Sequence, residues 1–137
     1  MTDPKQECER LLNALLPFAG EMLEQRGAFA PYGGFLSPEG ELFHVGVKQD
    51  ERPAVVVTAL RESFREIAAQ QGCSVLGLVS EVVTHIPQLD WMCEAIHFSL
   101  DHATGYSVEV FMPYQLVERE VVFGDIFSEI GKHDLFH

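Results

Sequence analysis

Cys73-Ser74-Val75-Leu76-Gly77-Leu78-Val79-Ser80-Glu81-Val82-Val83-Thr84-His85-Ile86 is the stretch on which the fold turns. It alternates with a period of two and places apolar side chains on both faces, which marks a strand in the middle of a sheet. Pro87 ends it, because proline has no amide for the ladder. Toward the N-terminus, Gly72 closes a helix expected from about Pro53 to Gln71. Val56, Leu60, Phe64 and Ile67 form the buried stripe of that helix, although the Val55-Val56-Val57 run has strand propensity at its first turn.

Further upstream, Ser37-Pro38-Glu39-Gly40 signals a hairpin with a three-residue loop and a glycine bulge. That register sets Phe35 opposite Phe43 on the core side, Leu36 opposite Leu42 and Gly34 opposite His44. The first helix starts at Asp3-Pro4, a cap followed by proline at the first helical position. Leu11, Leu12, Leu15, Leu16, Ala19, Met22 and Leu23 give it an apolar face, Pro17 is expected to kink it, and Gly27 suits its left-handed end.

Downstream, Met92 to Leu100 and Tyr106 to Met112 read as a hairpin around Asp101-His102-Ala103-Thr104-Gly105. A five-residue loop sets Leu100 opposite Tyr106, Phe98 opposite Val108 and Ile96 opposite Val110, facing the helices. His97 opposite Glu109 and Ser99 opposite Ser107 occupy the other face. Pro113-Tyr114 closes that strand. Val117 to Phe123 adds an edge strand, and Ile126, Phe127, Leu135 and Phe136 suggest a tail that packs back. The expectation is one α+β domain of order αββαβββ with a mostly irregular tail. Its antiparallel sheet has about five strands, with both helices packed on one face. The element order is similar to that of the roadblock domain, a likeness of fold that carries no function.

The chain has 137 residues, 47% of them hydrophobic and 22% charged, which suits a folded domain of ordinary composition. The N-terminus lacks the basic start and apolar stretch of a signal peptide, and no apolar run reaches the ~20 residues of a membrane span. Three cysteines, Cys8, Cys73 and Cys93, fit no metal-ligand spacing and read as buried thiols of a cytoplasmic protein. Nine basic against twenty-one acidic residues give a net charge of −12. Nucleic acid and anionic membrane are poor partners for such a chain, since both need a basic face.

Gly27-Ala28-Phe29-Ala30-Pro31-Tyr32-Gly33-Gly34 resembles the G-x-F-x-P-[FY]-G segment of a set of small bacterial proteins of unknown function. Val108-Glu109-Val110-Phe111-Met112-Pro113-Tyr114 and Phe123-Gly124-Asp125-Ile126-Phe127 resemble later segments of the same set, over about Leu11 to Phe136. Tyr32 and Met112 stand where that set commonly has Phe and Leu. The resemblance implies a shared fold and leaves function open.

No nucleophile elbow, zinc-protease helix, P-loop or dinucleotide fingerprint is present. Gly33-Gly34 lacks the lysine and the strand–loop–helix setting of a phosphate cradle, and reads instead as close approach of His44 or a neighbouring aromatic. Cys73 or Cys93 beside His85 or His97 offers a nucleophile only if a cation lowers the thiol pKa, and none lies nearby in sequence. His85, His97 and His102 with Asp101 and Glu109 offer metal donors only if strands bring them together, so neither metal nor cofactor is expected.

From Arg65 to Arg119 the chain has no Lys or Arg but carries Glu66, Glu81, Asp90, Glu94, Asp101, Glu109 and Glu118. That run reads as a solvated face, as a surface for a basic partner, or as a carboxylate metal site. Tyr32 and Tyr114, with Phe29, are aromatics at strand ends that either pack the core or floor a binding site. The functional expectation is a non-catalytic cytoplasmic interaction protein. It would bind a basic protein through Tyr32, Tyr114, His97, Glu109, Asp101, Glu81 and Glu94, in the manner of an immunity protein or antitoxin. The alternative is a small-molecule binder or enzyme using the His97/Glu109 face or the Tyr32/Tyr114 cluster.

Overall fold

The computed structural model describes residues 3–46, 52–86 and 92–136. The strand end expected at Pro87 and the acidic position Asp90 lie outside the described residues. Helix α1 (Pro4–Arg26) is followed by strands β1 (Tyr32–Leu36) and β2 (Leu42–Val45), helix α2 (Pro53–Gln70) and strand β3 (Val75–His85). Strands β4 (Met92–His102), β5 (Ser107–Val117), β6 (Glu120–Phe123) and β7 (Phe127–Ile130) complete the chain. This is the α+β class and the αββαβββ order that the sequence implies, and the sheet is antiparallel. Among the described residues it has seven strands, ordered β2-β1-β3-β4-β5-β6 with β7 also pairing β5. The tail read as irregular thus supplies β7.

Local chemistry accounts for the helix ends. The Asp3 side chain accepts the Lys5 amide at 3.1 Å, and Gly27 at φ 76° donates its amide to the Leu23 carbonyl. The helix continues through Pro17. In α2, Pro53 at the first position starts the helix despite the valine run, because its φ is already helical.

Strand parity assigns the helices to their faces. Tyr32, Gly34 and Leu36 share a face with Val75, Gly77 and Val79 and with Phe98 and Leu100. That face packs on Leu11, Leu15, Ala19 and Leu23 of α1. Phe35, Leu76 and Leu78 point the other way and meet Val56, Leu60 and Phe64 of α2. The expected single helical layer is therefore corrected: the helices lie on opposite faces. The reason is the two-sided apolar character of β3, since one layer would leave Leu76 and Leu78 in water.

Glycines make this close packing possible. Gly34 and Gly77 sit side by side beneath α1, where added Cβ atoms would lie 2.9 Å from Leu15 and from Leu11 respectively. Gly33 faces α2, and a Cβ there would come within 2.6 Å of the Phe64 ring. The aromatic that approaches this backbone is thus Phe64, from a distant helix, rather than His44.

The first hairpin has the expected register, with Phe35 opposite Phe43 and Leu36 opposite Leu42. Phe43 is nevertheless 43% exposed, stacked on Phe35 at 5.0 Å. The second hairpin differs from expectation. His102 donates its amide to the Tyr106 carbonyl and Gly105 donates to His102, so the loop holds three residues rather than five. Leu100 therefore opposes Val108, Phe98 opposes Val110 and Ile96 opposes Met112. A slip of two preserves facing, so the core set is unchanged while every partner changes. Nor does Pro113-Tyr114 end the strand; β5 runs on to Val117 and pairs there with β6.

The tail folds back onto the α2 side. Leu135 is 1% exposed within the α2 cluster, and Arg61 of α2 pairs with Asp134 at 3.4 Å.

Candidate functional site

The predicted residues fall on both faces of the sheet. Tyr32, Tyr114, Glu81 and Glu94 lie on the α1 side. Tyr32 donates its hydroxyl to the Leu15 carbonyl at 2.5 Å, and its ring meets Phe18 and Phe29 edge-on at 4.8 and 5.8 Å. Glu81 accepts the Phe29 amide at 2.5 Å and the Tyr114 hydroxyl at 3.4 Å. Burial pushes both phenols up, and for Tyr114 the Glu81 and Glu94 charges add to it. These groups pin the Gly27–Gly34 segment to the sheet. Both rings are buried and both hydroxyls are engaged, so the pair packs the core rather than flooring a site. Glu94 is exposed beside it.

His97, Glu109 and Asp101 share the α2 side, where parity sorts the side chains into rows across the strands. Ser80, His97, Phe111 and Phe127 form one row, and Leu78, Ser99, Glu109 and Glu129 form the next. Leu76, Asp101 and Ser107 form a third. Helix α2 covers the β1–β3 end of these rows and the tail crosses the third. The β4–β5–β7 part of the first two rows is left half-buried to exposed, apart from Ser99, which is buried.

In the first row His97 stacks on Phe111 at 4.6 Å, and Phe111 stacks on Phe127 at 5.1 Å. In the second, Glu109 accepts the Ser99 hydroxyl at 3.0 Å and the His97 Nε2 proton at 2.9 Å. His97 and Glu109 are diagonal neighbours in this register, not opposite ones, and still meet. Directly opposite Glu109 is Glu129. Like charges at such a position oppose the fold by a few tenths of a kcal/mol or more, roughly the size of other cross-strand pair terms. Among the described residues Glu129 makes no ion pair.

Asp101, expected on an exposed loop, is 1% exposed. One of its oxygens accepts the Leu135 amide at 3.0 Å and the other accepts the His133 Nδ1 proton. It clamps the tail and cannot present charge to a partner. The acidic run is accordingly less outward-facing than it reads: Glu94 and Glu118 are exposed, while Glu81 and Glu109 are half-buried and hydrogen-bonded.

Sequence reasoning missed Phe111, Phe127 and Glu129. Phe111 was within reach, because it stands two residues from Glu109 and so shares its face. Phe127 and Glu129 join only through β7.

The three thiols are shifted away from their reactive form. Burial, with the Asp101 charge behind it, pushes the Cys8 thiol up to about 12 and the Cys73 thiol up to about 11, and burial also raises Cys93. A raised thiol pKa withholds the thiolate that nucleophilic attack needs. Among the described residues no three His, Cys, Asp or Glu side chains are grouped to hold a metal ion. A hollow of about 360 Å³ opens on the α1 side, walled by Cys8, Leu12, Leu100, Val108, Val110 and Ile126.

Known protein families, curated proteins and solved structures provide no match to this chain. No described helix is long and apolar enough to cross a membrane.

Proposed function

We propose that this is a binding protein without chemistry of its own, which holds a basic protein against the open β4–β5–β7 part of the sheet. The observation that carries the reading is Glu129 directly opposite Glu109, alongside the aromatic row His97–Phe111–Phe127. A guanidinium stacks on an aromatic face and donates in a plane to carboxylates, so an arginine side chain suits both rows at once. The net charge of −12 speeds the encounter with such a partner. An inhibitor of a basic toxin, of the immunity or antitoxin kind, is the specific role that fits this chemistry.

The test is titration of the ¹⁵N-labelled protein with an arginine-rich peptide, with duplex DNA as the control. The expected result is amide shifts concentrated at His97, Ser99, Phe111 and Glu129. Affinity should weaken as salt rises, because the screening length contracts from about 10 Å at 0.1 M to about 3 Å at 1 M. Glu129→Gln, at an exposed position, should weaken binding several-fold with the fold intact. Shifts confined to another surface, binding indifferent to salt, or preference for DNA would refute the reading.

A further inference from the structure

Packing on the α1 side leaves a hollow beside the helix. Helix α1 stands over Gly34 of β1 and Gly77 of β3. A helix about 10 Å across covers only about two strands spaced about 4.8 Å apart, so the sheet extends past it at β5. There Leu100, Val108 and Val110 floor the hollow of about 360 Å³, next to Leu12 of the helix. That size falls in the range of about 300–1,000 Å³ typical of ligand sites, which are apolar with a few placed polar groups.

The placed polar groups lie on α1. Lys5, Glu9 and Asn13 recur every four residues, so they follow one edge of the helix along the mouth of the hollow. Lys5 and Glu9 are opposite charges one turn apart, yet neither makes an ion pair among the described residues. Lysine N-terminal to glutamate is the weaker order for such a pair, which leaves both charged heads available. Glu9 acts on the mouth itself: burial raises the Tyr106 phenol that lines it, and the charges of Cys8, Glu9 and Asp3 add to the rise.

We propose that the hollow binds an α-amino acid with a bulky apolar side chain. That side chain lies on Leu12, Leu100, Val108 and Val110, while its ammonium meets Glu9 and its carboxylate meets Lys5. An amino-acid zwitterion puts both charges beside one apolar body. It also approaches a chain carrying −12 without net repulsion, which an apolar anion does not. With the Asp3 charge close to the same mouth, the ammonium is the stronger anchor of the two. The hollow is on the face opposite His97, Glu109 and Phe111, so the proposal does not depend on the basic-partner reading.

The experiment is titration of the ¹⁵N-labelled protein with L-phenylalanine, 2-phenylethylamine, 3-phenylpropanoate and glycine. L-Phenylalanine should shift the amides of Cys8, Leu12, Val108, Val110 and Ser128, with a Kd of about millimolar for so small a ligand. 2-Phenylethylamine, which lacks the carboxylate, should bind several-fold more weakly, 3-phenylpropanoate more weakly still, and glycine not at all. Lys5→Gln and Glu9→Gln, at exposed positions where glutamine suits the helix, should each weaken phenylalanine by about two- to fivefold, Glu9→Gln the more. Ser128 is exposed and pairs with Val110, so Ser128→Trp fills the hollow from its outer wall. That variant should lose binding while keeping the wild-type melting temperature. The proposal is overturned by no saturable shift with phenylalanine, or by shifts confined to the other face of the sheet. Either one-charge analogue binding as tightly as phenylalanine, indifference to both charge substitutions, or binding that survives Ser128→Trp overturns it equally.

Discussion

Phe64→Ala is the sharpest test of a sheet sandwiched between two helices. Phe64 is fully buried, and its ring enters the notch above Gly33 among Phe35, Leu60, Leu76 and Leu78. A buried aromatic withdraws about 150–250 Å² from water. At about 25 cal/mol/Å², the part lost on truncation to alanine is worth roughly 3 kcal/mol. The cavity left between α2 and β3 brings the total to about 3–5 kcal/mol. Alanine suits the helix, so backbone propensity does not add to the loss. Phe43→Ala is the internal comparison: that ring is 43% exposed and contributes mainly its stack on Phe35, worth about 0.5–1.5 kcal/mol. Against a total stability of about 5–15 kcal/mol, the Phe64 variant loses about a fifth or more. Urea unfolding followed by circular dichroism measures both variants. With a slope of about 1–3 kcal/mol/M, the Phe64→Ala midpoint should fall by more than about 1 M. A loss no larger than that of Phe43→Ala would show that α2 does not pack as a layer of the core.

Further outcomes follow from the same contacts. Asp101→Asn should cost about 1–3 kcal/mol, because one oxygen of a buried, doubly engaged carboxylate is replaced by a donor. Hydrogen exchange at residues 131–136 should then rise well ahead of exchange in β3, and an unchanged tail would count against the clamp. Glu129→Gln relieves the pair with Glu109 and should stabilise by about 0.2–1 kcal/mol at low salt, a gain that vanishes at 1 M; calorimetric melting measures both. Stability should fall as pH rises above about 9, since the unfolded chain releases thiol protons that native Cys8 and Cys73 retain up to about 12 and about 11. Denaturation at pH 8 and 10.5 shows this decline, and Cys8→Ala should flatten it. Under native conditions at pH 8 a thiol reagent should label Cys93 first, and rapid labelling of Cys8 would contradict its burial.

Sequence by itself determined everything that depends on neighbours along the chain. Asp3-Pro4 and Gly27 bound α1, Ser37 to Gly40 set the first hairpin to the residue, and period-two alternation identified β3 and its central place. Side-chain facing within β4 and β5 was equally legible, because parity survives a register slip of two. The partners themselves were not: Asp101 and His102 look like loop residues until β3 and the tail bury them. The side of the sheet each helix takes depends on contacts between residues far apart in sequence, such as Phe64 with Gly33. Apolar residues on both faces of β3 read as a central position beneath a single helical layer, and only the contacts of Leu11 and Phe64 put a helix on each face. The candidate site divides in the same way. His97 and Glu109 could be paired from the hairpin alone, and Phe111 from its parity. Glu129 and Phe127 enter only when a four-residue strand, too short to show a period, docks on β5 and brings like charges together.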